Sequence, residues 1–251
     1  MSPGWEEVSR AFLAVPPSEI LIGSDYDGTI APIVEDPESA LPLAELVGIL
    51  HELVPLVRGV AVISGRGQAS LRRLLPVPGL IHVGENGVGD ATPEERARLH
   101  DFEQSALTLA SRWPGVEVEA KPASVSIHFR SRPSVGPELE RGLSTLIEGS
   151  GLSMVANRRV FDVQLRRAGK VRSMRRLMRE LKPGAVFYAG DSRDDARVLR
   201  CLAGLEVPSM RVGVPSPEIP GSVFRSAAVS IDGPQGLAAL LGELIRRWRG
   251  L

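Results

Sequence analysis

The sequence predicts an α/β protein: a doubly wound, mostly parallel sheet with a smaller α+β cap domain inserted into it. Three observations carry this reading. Short apolar runs alternate with helical stretches early in the chain, and the alternation returns late. The middle instead alternates apolar and polar residues with period two, as a half-buried antiparallel sheet does. The length, 251 residues, is enough for one large α/β domain or for a domain carrying a smaller insert.

The elements follow in order. Ile20, Leu21 and Ile22 form a short buried strand that runs to Ser24 and exits at Asp25 and Asp27, with Gly28 punctuating the chain. "LPLAELVGILHELVPLV" is helical, "GVAVISGR" is a second strand, "QASLRRLL" a basic helix, and "LIHVGENG" a third strand. A long helix is expected near Glu94–Trp113. After it, "VEVEAKPASVSIHFR" places Val116, Val118, Ala120, Val125, Ile127 and Phe129 on a buried face. Glu117, Glu119, Lys121, Ser124, Ser126, His128 and Arg130 fall on the polar face. A helix near Pro137–Gly149 follows, and "LSMVANRRVFDVQLR" repeats the pattern. Residues 88–166 are therefore the expected insert, and 1–87 with 167–251 the core. The core resumes with the helix "KVRSMRRLMREL", the strand "AVFYAGD" and the helix "DDARVLRCL". Two short strands, "SMRVGV" and "AAVSID", precede a closing helix, "PQGLAALLGELIRRW". Hinges are expected near Gly87–Gly89 and Arg167–Gly169.

Composition narrows the setting. An apolar fraction of 43% is ordinary for a globular protein, and a formal net charge of zero argues against nucleic acid or an anionic membrane as partner. No apolar run approaches the ~20 residues of a membrane span, and "MSPGWEEVSR" does not read as a signal peptide. Cys201 is the single cysteine, which leaves no intramolecular disulfide and no cysteine metal cluster. A cytoplasmic protein is expected. Of 30 basic residues only Lys121, Lys170 and Lys182 are lysine, so a lysine can mark a place that suits a compact ammonium.

Doubly wound sheets bind ligands at the carboxyl ends of their strands. Four such exits carry polar chemistry here: Asp25 with Asp27; Ser64, Gly65 and Arg66; Lys170 at the head of a helix; and Asp191 with Asp195. Carboxylates that repel one another can converge around a divalent cation, and oxygen donors suit Mg²⁺. A serine, a lysine and helix N-termini suit a phosphate. One aspartate of the closely spaced pair can attack phosphorus, while the other serves the leaving oxygen and then water.

"DYDGT", "ISGR", a lysine before a helix and "GDSRDD", in that order, resemble the four motifs of the haloacid dehalogenase superfamily. Within it, "VEAKPASVSIHFR" is similar to the cap hairpin of the trehalose-6-phosphate phosphatase family. The resemblance spans about Ile20–Leu199. It implies Asp25 as nucleophile, Asp27 as acid/base, Ser64, Gly65 and Lys170 on the phosphoryl group, and Mg²⁺ held by Asp25, the Asp27 carbonyl and Asp191, with Asp195 near. It further implies a small sugar phosphate as ligand, met by Arg66, Glu85, Lys121, His128, Arg130 and Asp162. Ser192 stands where the family usually has an acid, Val171 where it has glycine, Asp162 where it has glutamate and Asn86 where it has histidine. A phosphatase or mutase for another sugar phosphate, and a non-catalytic phosphate-binding domain, are the alternatives.

Overall fold

The computed structural model describes residues 4–34, 39–90, 92–120, 124–157, 159–165, 169–216 and 219–250. The chain divides into two compact units, Met1–Gly87 with Gly169–Leu251, and Val88–Ala168.

The first unit is built on a six-stranded sheet. Its strands are β1 (Ile20–Ser24), β2 (Gly59–Ile63), β3 (Ile81–Val83), β8 (Ala185–Gly190), β9 (Ser209–Gly213) and β10 (Val229–Ser230), in the order β10-β9-β8-β1-β2-β3. Every pairing is parallel. Sheets of this kind are covered on both faces, which is why the central strands read as continuous apolar runs. The two faces still separate by alternation. Ile20, Ile22, Val60, Val62, Phe187 and Ala189 join one core with α1 (Gly4–Leu13), α2 (Ala44–Leu53), α3 (Gln68–Leu74) and α8 (Gly233–Trp248). Leu21, Ala61, Ile63, Val186 and Tyr188 join the other with α6 (Lys170–Leu181) and α7 (Arg193–Ala203).

From β1 the chain winds outward through β2 and β3 on one side and, after the second unit, through β8, β9 and β10 on the other. The strand order therefore reverses between β1 and β8, which makes their carboxyl ends the crevice of the sheet. Two helices differ from the sequence reading. α2 is shorter than its apolar string: Pro42 lies just before it, and Pro55, which has no N–H to extend the ladder, follows its cap residue Val54. α1 was not expected; Phe12 anchors it against the sheet core.

The second unit is a four-stranded antiparallel sheet, β4 (Glu117–Ala120), β5 (Ser124–His128), β6 (Leu152–Asn157) and β7 (Val160–Leu165), in the order β4-β5-β7-β6. Its apolar face packs on α4 (Pro93–Ala110) and α5 (Gly136–Ile147) through Leu99, Phe102, Val125, Ile127, Leu139, Phe161 and Val163. α4 opens on a capping box in which Thr92 and Glu95 satisfy each other's backbone N–H, so it starts at Pro93. It stops at Ala110, short of Trp113. Two assignments on the hairpin need correction. Ala120 is exposed at the end of the edge strand β4, outside the apolar cluster that Val116 and Val118 join. Ser126 is wholly buried although it lies on the polar face, because a neighbouring carboxylate takes its hydroxyl.

Candidate active site

β1, β8 and α6 bring three of the expected residues together. Asp25 N–H donates to the Ala189 carbonyl at 2.9 Å, which continues the β1–β8 pairing one residue past the strand and fixes the Asp25 backbone. Its side-chain Oδ1 accepts from Tyr26 N–H at 2.7 Å, and Oδ2 meets Lys170 Nζ at 2.7 Å. Beyond Asp25 the chain curls around the Tyr26 carbonyl, which accepts from the N–H groups of Thr29, Ile30 and Ala31. Gly28 makes the curl possible with φ at 72°. A Cβ there would stand 2.1 Å from Asp191 Oδ2, so the glycine also leaves the space that Asp191 fills.

Asp191 leaves β8 and Asp195 follows on the first turn of α7. One oxygen from each of Asp25, Asp191 and Asp195 lies within 4.8 Å of the others, all three residues being buried. Asp195 is saturated by protein donors. Lys170 Nζ reaches Oδ1 at 2.9 Å and Oδ2 at 3.1 Å, Tyr188 OH donates to Oδ1 at 2.7 Å, and Ser192 N–H donates to Oδ2 at 2.9 Å. The Ser192 hydroxyl also donates to Oδ2. Ser192 and Asp195 form a capping box, so one residue starts α7 and anchors Lys170 at once. Gly190 permits this, since a Cβ there would meet Asp195 Cγ at 2.2 Å.

Electrostatics follow from that geometry. Burial, reinforced by the charge of Asp195, pushes Asp25 well above the usual carboxylate range in spite of Lys170. Asp191 is pushed up to about 6 by burial and then by Asp195. Burial works against Asp195 too, but the Lys170 charge and the hydrogen bonds from Ser192 and Tyr188 hold it below its ordinary value. Burial opposes the charge on Lys170, yet Asp25 and Asp195 together raise it. Lys170 stays an ammonium. Burial raises two carboxyls near it, Asp25 and Asp191, and a cation between them would favour their ionised forms. The donors are all oxygen and at least two are poised this way, so the cluster fits a hard divalent cation.

The remaining core residues sit around this cluster. Ser64 is buried at the exit of β2, and its Oγ accepts from Arg66 N–H at 3.1 Å. Gly65 is exposed. Arg66 forks onto Asp27. Glu85 and Asn86 both take left-handed backbone, φ 54° and 53°, and their N–H groups bond the carbonyls of Arg66 and Ser64 at 2.7 and 2.8 Å. This places Glu85 beside the Ser64–Arg66 loop. Sequence reasoning missed Tyr188, Ser192 and Tyr26 as supports. The first had a signal, since a phenol inside a buried strand must find a partner for its hydroxyl.

In the second unit, His128 Nε2 and Glu119 Oε2 are 3.0 Å apart. With Glu117, Arg130 and Ser131 they line a depression of about 430 Å³. Asp162 accepts the Ser126 hydroxyl and stands in the same cross-sheet row as Glu119, with β5 between them. Lys121 lies outside the described residues.

A family model described as trehalose-phosphatase matches residues 24–234. The chain belongs to the trehalose-phosphatase family. A bifunctional trehalose-6-phosphate synthase/phosphatase of Thermoproteus tenax is 30% identical over 238 residues, covering 88% of this chain and 31% of the relative. A trehalose-phosphate phosphatase of Mycobacterium marinum is 31% identical over 153 residues, covering 56% of this chain and 39% of the relative. The chain thus spans well under half the length of these curated relatives. Among solved structures, Aspergillus fumigatus trehalose-6-phosphate phosphatase shares the fold at TM-score 0.79 and 21% identity, covering 96% of this chain and 97% of that one.

Proposed function

We propose that this trehalose-phosphatase family member hydrolyses trehalose 6-phosphate to trehalose and inorganic phosphate, with Mg²⁺ bound at Asp25, the Asp27 carbonyl and Asp191. The observation that carries the reading is the buried Asp25–Lys170–Asp191 cluster at the sheet's crevice, with Asp27 two residues on. When bound, the cation offsets the charge that keeps a carboxylate from a phosphate. No described helix is long and apolar enough to cross a membrane.

The chemistry assigned to the chain's own residues runs in two steps. An Asp25 carboxylate oxygen attacks phosphorus, and the bond from phosphorus to the sugar oxygen breaks with its electron pair on that oxygen. Asp27 gives that oxygen a proton. Water then attacks the aspartyl-phosphate and passes its proton to Asp27, and the phosphorus–Asp25 bond breaks to return the carboxylate. Lys170, Ser64 and the Gly65 backbone hold the phosphoryl oxygens. We assign Asp195 to Lys170 rather than to the metal, because five hydrogen bonds already occupy its oxygens. Recognition of the sugar is assigned to Lys121, His128, Arg130 and Asp162, with Glu85 in the core. His128 and Arg130 sharing one polar depression supports this.

The test is phosphate release from a panel of sugar phosphates, with EDTA and with Mg²⁺ restored. Trehalose 6-phosphate should exceed glucose 6-phosphate and sucrose 6-phosphate in kcat/KM, and EDTA should stop the reaction. Equal rates across the panel would remove the trehalose assignment, and full activity in EDTA would remove the metal.

A further inference from the structure

Asp27 is held. Arg66 Nη2 donates to its Oδ1 at 2.7 Å, and Arg66 Nε donates to its Oδ2 at 3.0 Å, a side-on fork of two nearly parallel bonds. The guanidinium carbon sits over the Tyr26 ring, 5.1 Å from its centroid, a cation–π contact. That ring is itself fixed, since the Tyr26 hydroxyl donates to the Ala40 carbonyl at 2.7 Å. The Arg66 backbone is fixed as well, through its N–H on Ser64 Oγ and its carbonyl on Glu85 N–H. The Arg66 side chain is 9% exposed and that of Asp27 is 43% exposed. A buried, braced arginine is therefore setting the rotamer of a carboxylate that is otherwise open to solvent.

An ion pair with one partner open to solvent contributes little stability by itself. Orientation is what the fork provides. A planar guanidinium bonded at two points leaves a carboxylate one rotamer and one tilt, which a lysine's point charge cannot do. We infer that Arg66 is the positioning residue of Asp27: it aims the acid/base at the leaving oxygen and at water, and it acts through Asp27 rather than by touching sugar or phosphate. This rests on the phosphatase reading above.

The inference makes the effect of Arg66 depend on the leaving group. A sugar alkoxide must be protonated as it departs, whereas p-nitrophenolate departs without a proton. Losing the aim of Asp27 should slow the first step for the sugar ester alone. The second step needs the base for both esters, so the phosphorylated enzyme should accumulate with the aryl ester.

The experiment compares wild type, Arg66→Ala, Arg66→Lys and Asp27→Asn on trehalose 6-phosphate and on p-nitrophenyl phosphate, with Mg²⁺ present and folding checked by thermal melting. Arg66→Ala should lower kcat on the sugar ester by about 10–100-fold, at the lower end of what proton transfer supplies, with KM within about threefold. Rapid mixing with the aryl ester should show a burst of one equivalent of p-nitrophenolate at a rate within about threefold of wild type, followed by slow turnover. In an Asp27→Asn background, Arg66→Ala should cost less than about a further threefold, because both changes remove the same function. Arg66→Lys, which keeps the charge and most of the bulk, should behave like Arg66→Ala, and it carries the comparison where Arg66→Ala does not fold. Equal slowing of the first, phosphoryl-transfer step on the two esters, a raised KM with kcat unchanged, additivity with Asp27→Asn, or wild-type rates in both variants would each overturn the inference. Wild-type protein that cleaves neither ester would overturn the phosphatase reading itself.

Discussion

At the scale of single residues, the site is defined by how three buried carboxyls divide their protons and partners. Asp25→Asn should abolish turnover, and Asp27→Asn should lower it by about 10²–10⁴-fold, the range of general acid–base catalysis, with melting temperatures near wild type. Substantial turnover by Asp25→Asn with Mg²⁺ would remove the covalent route. Asp191 and Asp195 should separate by metal dependence. Asp191→Asn should lose the Mg²⁺-induced rise in melting temperature, whereas Asp195→Asn should keep Mg²⁺ affinity within a few-fold and lose turnover through Lys170. A pH dependence follows from the same carboxyls. Folded, metal-free Asp191 keeps its proton to about 6 and Asp25 is raised in the same direction, while an unfolded aspartate loses its proton near ~4. Over that window the folded state binds more protons than the unfolded chain, so metal-free stability falls as pH rises from ~4 through about 6. Mg²⁺ displaces those protons, so its stabilisation should be small near pH ~5 and larger at pH ~7.5. A Tm gain that does not change across that range would contradict the assignment. The acids themselves were legible, because paired aspartates at strand exits call for a cation. Tyr188 signalled only that its hydroxyl needs a partner and Ser192 gave no sign of its bond, because what they do depends on which partner the fold brings to them.

At the scale of elements, the strands were legible from apolar runs and the boundaries from prolines and caps, with local exceptions. The seventeen-residue string "LPLAELVGILHELVPLV" is helical over only Ala44–Leu53, since prolines flank the apolar stretch that periodicity alone would extend. Ala120 kept the right alternation yet lies exposed, because alternation gives a face and not how far along it the apolar cluster extends. The turn after β1 ties element to chemistry most tightly. Gly28 is left-handed, and its missing Cβ is the space occupied by Asp191. Gly28→Ala should cost roughly 1–2 kcal/mol for the backbone alone. It should also push Asp191 away from Asp25. Expected together are a lower melting temperature and a Mg²⁺ affinity reduced by at least tenfold, measured by the metal dependence of Tm. A variant that melts earlier but binds Mg²⁺ as wild type would show that the turn supports the fold alone.

At the scale of the whole molecule, the chain has two units with separate hydrophobic cores, and the core unit closes on itself at the points where the chain leaves and returns. Asn86 carbonyl accepts Gly169 N–H at 3.1 Å and Ser173 Oγ at 3.1 Å, so the two ends of the core are already joined by hydrogen bonds. The expected hinge segments begin at this junction: Gly87 and Gly169 border it, and Arg167 lies outside the described residues. Because the ends meet, residues 88–168 can be replaced by a short Gly/Ser linker at little loop-closure cost, which rises only by about 0.6 kcal/mol for each doubling of length. The six strands, six helices and three-carboxylate cluster described for the core would all remain. Such a core should fold cooperatively and keep its Mg²⁺-dependent rise in Tm. It should retain measurable turnover of p-nitrophenyl phosphate and lose its preference for trehalose 6-phosphate over glucose 6-phosphate, since Lys121, His128, Arg130 and Asp162 are gone. In the full chain, His128→Ala and Arg130→Ala should shift the same preference while sparing the aryl ester, because a site that hydrogen-bonds sugar hydroxyls discriminates against a ligand that leaves its groups unpaired. A truncated core that still prefers the disaccharide phosphate would place recognition in the core, with Glu85 the first residue to substitute.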